Sequence, residues 1–124
     1  MIVGLGVDLA PISAFQDEQR RNRFAARCFT ADEQEYAASR GVAAAQSAAA
    51  IFAAKESTLK AFSVGIGDIP LTDIEVTHAA SGAPSLSLHG AAARRAESLG
   101  VARLHLSITH QGEYAAAVVI LEAD

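Results

Sequence analysis

The chain has little cysteine, proline or methionine, and no tryptophan: one Cys, three Pro and one Met in 124 residues. The single cysteine, Cys28, excludes an internal disulfide and suits a reducing cytoplasm. It lies between Arg27 and Phe29 on an expected helix and reads as a core or inert thiol rather than a nucleophile. No segment is long and apolar enough to cross a bilayer, so no membrane partner is expected. The opening run Met1–Val7 is too short, and lacks the basic flank, to be a signal peptide. Cationic residues are outnumbered, ten Lys and Arg against fourteen Asp and Glu, and the net charge of −4 argues against non-specific nucleic-acid binding. There is no internal repeat and no low-complexity linker beyond a richness in alanine. This length is enough for one hydrophobic core and not for two, so residues 1–124 are expected to form a single domain.

What is present reads as an alternation of short elements. Residues 2–8 place apolar side chains among glycines and end in Asp8, which predicts a strand with an acidic last residue. Pro11 and Ser13 open a helical stretch through the arginines to about Ala26. Thr30 followed by Glu33 is a capping box, so a helix is expected to about Ser39. Gly41 interrupts, and an alanine-rich helix then runs from about Ala43 to Phe62. A Gly/Pro loop covers 64–70, and Leu71–His78 reads as a strand. Ser81–Pro84 is a turn, and residues 85–88 form the partner strand of a hairpin. Gly90–Leu99 predicts a helix stopped by Gly100. Residues 103–109 and 114–121 close the chain as an antiparallel hairpin across Gln111–Glu113. The fold class is α+β, an antiparallel sheet packed on one long helix.

That helix is apolar on all sides around Phe52–Phe62, yet it carries Lys55, Glu56 and Lys60. Charge in such a place is costly unless it is paired or binds something. Glu56 and Lys60 are four residues apart on one face, so they can hold a metal ion and an anionic group side by side, or simply form an ion pair. Two further groups bear on the choice. Asp8 supplies a second carboxylate from another element, and Ser107-Ile108-Thr109-His110 ends a late strand. Two carboxylates suit a hard divalent cation that fills its remaining positions with phosphate oxygens and water. Lys60 and His110 would then neutralise phosphate charge. Arg20, Arg21, Arg23, Arg27 and Arg40 all fall in the first third of the chain. They read either as a basic face for an acidic partner or as an ordinary solvated helix surface.

The ordered set Gly4-Leu5-Gly6-Val7-Asp8-Leu9, Phe52-Ala53-Ala54-Lys55-Glu56 with Lys60, and Ser107–His110 with Tyr114–Ala117 resembles the holo-[acyl-carrier-protein] synthases, the small 4′-phosphopantetheinyl transferases. Arg23-Phe24, Phe29-Thr30 with Glu33, and Gly82-Ala83-Pro84 add to the likeness, which covers essentially the whole chain. The resemblance implies transfer of the phosphopantetheine arm of coenzyme A to a carrier-protein serine, with release of 3′,5′-ADP. It implies that Asp8 and Glu56 bind Mg²⁺ and that Glu56, directly or through a bound water, takes the serine proton. Lys60 would steady the pyrophosphate, His110 would contact phosphate, and the loop Gly82–Pro84 would border the adenine. Arg20, Arg23 and Arg27 would face an acidic acyl carrier protein, and the assembly would be a homotrimer with sites between subunits.

Three positions depart from the family pattern: Ala14, Ile51 and Ala83 stand where a basic residue is usual. These losses predict a changed carrier, such as a carrier domain of a multifunctional synthase, rather than a changed reaction. The rival reading is a non-catalytic homologue that binds a nucleotide or a carrier without transfer.

Overall fold

A computed structural model describes all residues, 1–124. Strand β1 (Ile2–Pro11) leads through a 3₁₀ turn at Ile12–Phe15 into helices α1 (Glu18–Cys28) and α2 (Ala31–Ala38). A second 3₁₀ turn at Gly41–Ala43 precedes the long helix α3 (Ala44–Ala61). Strands β2 (Ile74–His78) and β3 (Pro84–Leu88), helix α4 (Gly90–Ser98), and strands β4 (Val101–Gln111) and β5 (Tyr114–Ala123) follow. The strands form two antiparallel sheets: one in the order β1-β5-β4, the other the β2-β3 hairpin. No helix is long and apolar enough to cross a membrane.

Three boundaries differ from the sequence reading by three residues or more. Strand β1 runs three residues past Asp8, because Asp8 to Pro11 pair in register with Ala117 to Tyr114. The first helix starts at Glu18 rather than near Ser13. Asp17 wins as N-cap, its side chain accepting from Gln19 N–H at 3.1 Å. The segment before β2 is a 3₁₀ turn, Leu71–Asp73, whose last carboxylate instead accepts from Ala91 N–H at the start of α4. The capping box is present with both of its bonds.

Helix α3 lies on β1 and β5. Its Ala48, Ala49, Ala53 and Ala54 are fully buried, and they meet Ala115 and Ala117 of β5. Small residues on both surfaces bring helix and sheet unusually close. At one end of the core Phe15, Phe24, Phe29 and Phe52 pack with ring centroids 5.3–5.8 Å apart. At the other, Leu59, Phe62, Ile74, Val119 and Leu121 make a second cluster against α4.

The outer face of the three-stranded sheet has no helix on it. Leu5, Val7 and Leu9 stand opposite Ile120, Val118 and Ala116 on that face, and the three β1 side chains are 60–64% exposed.

Candidate functional site

Asp8 is held in place by two glycines upstream. A Cβ on Gly6 would lie 1.8 Å from the Ser57 carbonyl oxygen, and one on Gly4 2.3 Å from that of Ala61. Only glycine lets β1 run this close to α3. Ser57 Oγ–H donates to Ala117 O at 2.9 Å and ties the same turn of α3 to β5. The result sets Asp8 on the strand beside Glu56 and Lys60 on the helix.

The three charges of α3 have separate fates. Lys55 is fully buried and turns into the core. Lys60 Nζ–H donates to Asp8 Oδ1 and to Val7 O, each at 3.1 Å, so its partner is the strand carboxylate and no Glu56–Lys60 pair forms along the helix. Glu56 Oε1 is buried and has no hydrogen-bond partner, the only such side-chain atom in the protein. Burial raises the Glu56 carboxyl above its ordinary range; the like charge of Asp8 adds to this, and Lys60 opposes it. An orphaned buried carboxylate oxygen next to a second carboxylate is a place where a cation fits. No three His, Cys, Asp or Glu cluster in the molecule, so such a cation would take two protein ligands and complete its shell with water or phosphate, the habit of Mg²⁺.

Asp8 and Lys60 share one shallow depression with Val7, Leu9 and Ala116. The last three belong to the bare apolar face of the sheet. The acidic corner therefore opens at the rim of that face.

The other expected ligand residues lie elsewhere. His110, Gly82 and Pro84 line a cleft of about 260 Å³ with Arg40, Ser47 and His78. His110 is on β4 and Asp8 on β1, the opposite edges of the sheet, with β5 between them. The structure thus brings Asp8, Glu56 and Lys60 together and groups His110 with the Gly82–Pro84 loop, but the two groups do not share a cavity within one chain.

Sequence reasoning overlooked part of this second cleft. Tyr36 and His78 stack face to face, centroids 3.7 Å apart and planes within 4°, and the Arg40 guanidinium sits 5.7 Å from the Tyr36 ring centre. Burial, and then the nearby Arg40 charge, lower the His78 pKa and favour its neutral form. Arg40 is accordingly a cleft residue and does not extend the α1 arginine face. The position of His78, just before a glycine-x-proline turn, was the one signal available.

Arg20, Arg23 and Arg27 do form a stripe. They line a groove of about 400 Å³ together with Pro11, Ala14, Phe15, Phe24 and Phe52. Arg21 points the other way and donates to Phe15 O at 2.8 Å, fastening the turn before α1.

A family model for the 4′-phosphopantetheinyl transferase superfamily matches residues 4–119. The holo-[acyl-carrier-protein] synthase of Nocardia farcinica is 45% identical over 130 residues, which cover 98% of this chain and 88% of the relative. That of Treponema denticola is 41% identical over 122 residues, covering 98% and 99%. The crystal structure of a holo-(acyl-carrier-protein) synthase from Bacillus anthracis in complex with CoA (3′,5′-ADP) matches with a TM-score of 0.81 at 33% identity, over 100% of this chain and 99% of that one.

Proposed function

The chain belongs to the 4′-phosphopantetheinyl transferase superfamily, and from that premise we propose that it acts as a holo-[acyl-carrier-protein] synthase in the cytoplasm, its whole length one catalytic domain. It moves the phosphopantetheine arm of coenzyme A onto a serine of an acyl carrier protein or carrier domain. The observation that carries the reading is the buried, unpartnered Glu56 oxygen beside Asp8, which nothing in the fold itself requires.

In the reaction the carrier serine oxygen attacks the phosphorus next to the pantetheine. A new P–O bond forms, the bond to the other phosphate breaks, and 3′,5′-ADP leaves. Glu56 accepts the serine proton, directly or through a water; a carboxyl raised by burial is better suited to that task than an exposed one. Mg²⁺ held by Asp8 and Glu56 would neutralise charge on the pyrophosphate. Lys60, 54% exposed and tethered only to Asp8 and Val7 O, is free to turn toward an arriving phosphate. His110 and Arg40 would meet phosphate oxygens in the second cleft, with the Gly82–Pro84 loop along the adenine. Positioning and charge neutralisation of this kind supply most of the rate in phosphoryl transfer.

The two groups of residues stand on opposite edges of the sheet and line separate cavities, which supports a complete site to which neighbouring chains contribute one group each. The homotrimer is what the resemblance implies, and the bare apolar face offers the place for a neighbour: a second chain on Leu5, Val7 and Leu9 would also wall the depression that holds Asp8 and Lys60. Val7→Asp should leave each chain folded, as Val7 packs on nothing in its own chain's core, yet reduce the particle to a monomer by sedimentation. A trimer that survives the substitution would place the interface elsewhere.

The arginine groove on α1 is the carrier's docking surface. Arg23→Glu is expected to raise the carrier KM by about tenfold while the coenzyme A KM changes by less than about twofold. Equal effects on both would remove the docking role. Ala14, on the same groove, leaves it one cation short of the family pattern, and this favours a carrier domain of a large synthase over a free carrier. Steady-state comparison of the two carrier types measures that preference.

The deciding experiment is mass spectrometry of an apo-carrier after incubation with coenzyme A, Mg²⁺ and the protein, with and without EDTA. A gain of the phosphopantetheine mass, abolished by EDTA, is the expected result. An unmodified carrier in every arm would leave a non-catalytic binding homologue as the better reading.

A further inference from the structure

Lys55 neighbours Glu56 in sequence, yet it takes no part in the acidic corner. Its ammonium is wholly buried and spends its three protons on Glu33 Oε1 at 2.8 Å, Leu71 O at 2.7 Å and Ile74 O at 2.5 Å. Glu33, equally buried, is just as fully used. Oε1 also accepts from Thr30 N–H at 2.8 Å, and Oε2 accepts from Val76 N–H at 2.7 Å. Thr30 Oγ1–H reaches on to Glu75 Oε2 at 2.8 Å, and Glu75 Oε1 meets His89 Nε2 at 3.1 Å. Burial pushes the Lys55 pKa down and Glu33 pulls it back. A charged pair set this deep is a poor way to gain stability, since apolar side chains of the same volume often do as well. Its value lies in fixing geometry.

The elements it fixes are the walls of the second cleft. Lys55 belongs to α3, which supplies Ser47; Glu33 belongs to α2, which supplies Tyr36 and leads to Arg40. Leu71, Ile74 and Val76 belong to the segment that ends in His78 and turns through Gly82 to Pro84. We propose that Lys55 and Glu33 are positioning residues that set the spacing of the coenzyme A cleft by locking α2, α3 and the β2-β3 hairpin to one another through a buried hydrogen-bonded hub. This rests on the reading of that cleft as the nucleotide end of the site. The catalytic corner is anchored separately, through Gly6, Ser57 and Ala117 on the other side of α3. Loosening the hub therefore acts on coenzyme A binding and spares the carboxylates.

The test is the double variant Glu33→Gln/Lys55→Met, which removes both charges together and keeps side-chain volume. Calorimetric titration with coenzyme A should show binding weakened by about tenfold or more, since misplacements of about an ångström carry penalties of this order. The carrier KM should stay within about twofold, and kcat at saturating coenzyme A should fall by less than about threefold. A purely structural hub predicts the opposite split: less folded protein and lower apparent kcat, with coenzyme A affinity unchanged. A folded double variant that binds coenzyme A as the parent does overturns the proposal. If the double variant does not fold, Thr30→Val decides, because it leaves the Glu33–Lys55 pair intact and strips the hydroxyl's bond to Glu75 together with its N-cap bond from Glu33 N–H. It should weaken coenzyme A binding by about threefold, and no change overturns the proposal. A parent protein that binds coenzyme A but modifies no carrier would refute the transferase reading and leave the hub measurable. A parent that binds no coenzyme A would refute both.

Discussion

Glu56→Gln is expected to lower carrier modification by about 10³-fold, within the range lost when a positioned base or a charge-stabilising group is removed. The fold should not suffer. The carboxylate oxygen that is lost has no protein partner, and its burial beside Asp8 raises the cost of keeping it charged. Thermal denaturation of the metal-free variant should therefore give a melting temperature no lower than that of the parent. Added Mg²⁺ should stabilise the parent clearly and the variant hardly at all, because a ligand that binds the native state stabilises it by an amount that grows with the logarithm of its concentration over its Kd. This pairing of outcomes separates Glu56 from an ordinary structural acid, whose loss would lower stability and leave turnover alone. A variant that retains parental activity, or that melts far below the parent with and without metal, would dismiss both the metal and the base assignments.

Gly6→Ala is the second large effect, and it acts in the reverse sense, on the scaffold first. The added methyl carbon would fall 1.8 Å from Ser57 O and 2.8 Å from Ala61 N, both backbone atoms of a helix that cannot rotate away. Helix and strand must separate, and overpacking of this severity costs about 3 kcal/mol or more. For a chain of this length that is a drop of roughly 10 °C in Tm. The same separation carries Asp8 away from Glu56, so the surviving folded fraction should need more Mg²⁺ for half-maximal activity. Gly41→Ala is the useful contrast: its added carbon would meet nothing within 4 Å, and only the strain of a positive φ of 58° opposes it. If Gly6→Ala melted within about 2 °C of the parent, the close approach would not be what fixes the strand.

These two cases also mark where the sequence was transparent and where it was not. The Thr30–Glu33 capping box lies within four residues and needs nothing beyond local geometry, so it could be read directly, as could the alternation that makes β1 and the hairpin β4-β5. The other oxygen of Glu33 bonds a residue 43 positions away, and no spacing rule reaches that far. Lys60 illustrates the same limit. Helical spacing pointed it at Glu56, whereas the approach allowed by Gly4 and Gly6 presents Asp8 instead. The start of α1 lies beyond Pro11 and Ser13 because the helical signal there is spent on the 3₁₀ turn Ile12–Phe15, which has no side-chain cap, while the Asp17 carboxylate caps the α-helix itself. The residue types of the candidate site were legible in order. Its division between two edges was not, because that depends on which strand lies between which.

That division has a consequence for inheritance of damage. A chain broken at Glu56 still owns a sound β4 edge, and a chain broken at His110 still owns a sound β1 edge. In the proposed ring of such chains each boundary would join one edge of each kind, so two different defects mixed in one particle would leave some boundaries where neither defect is present. Loss of function at this enzyme would then be a property of boundaries rather than of polypeptides, and two silent alleles could speak together.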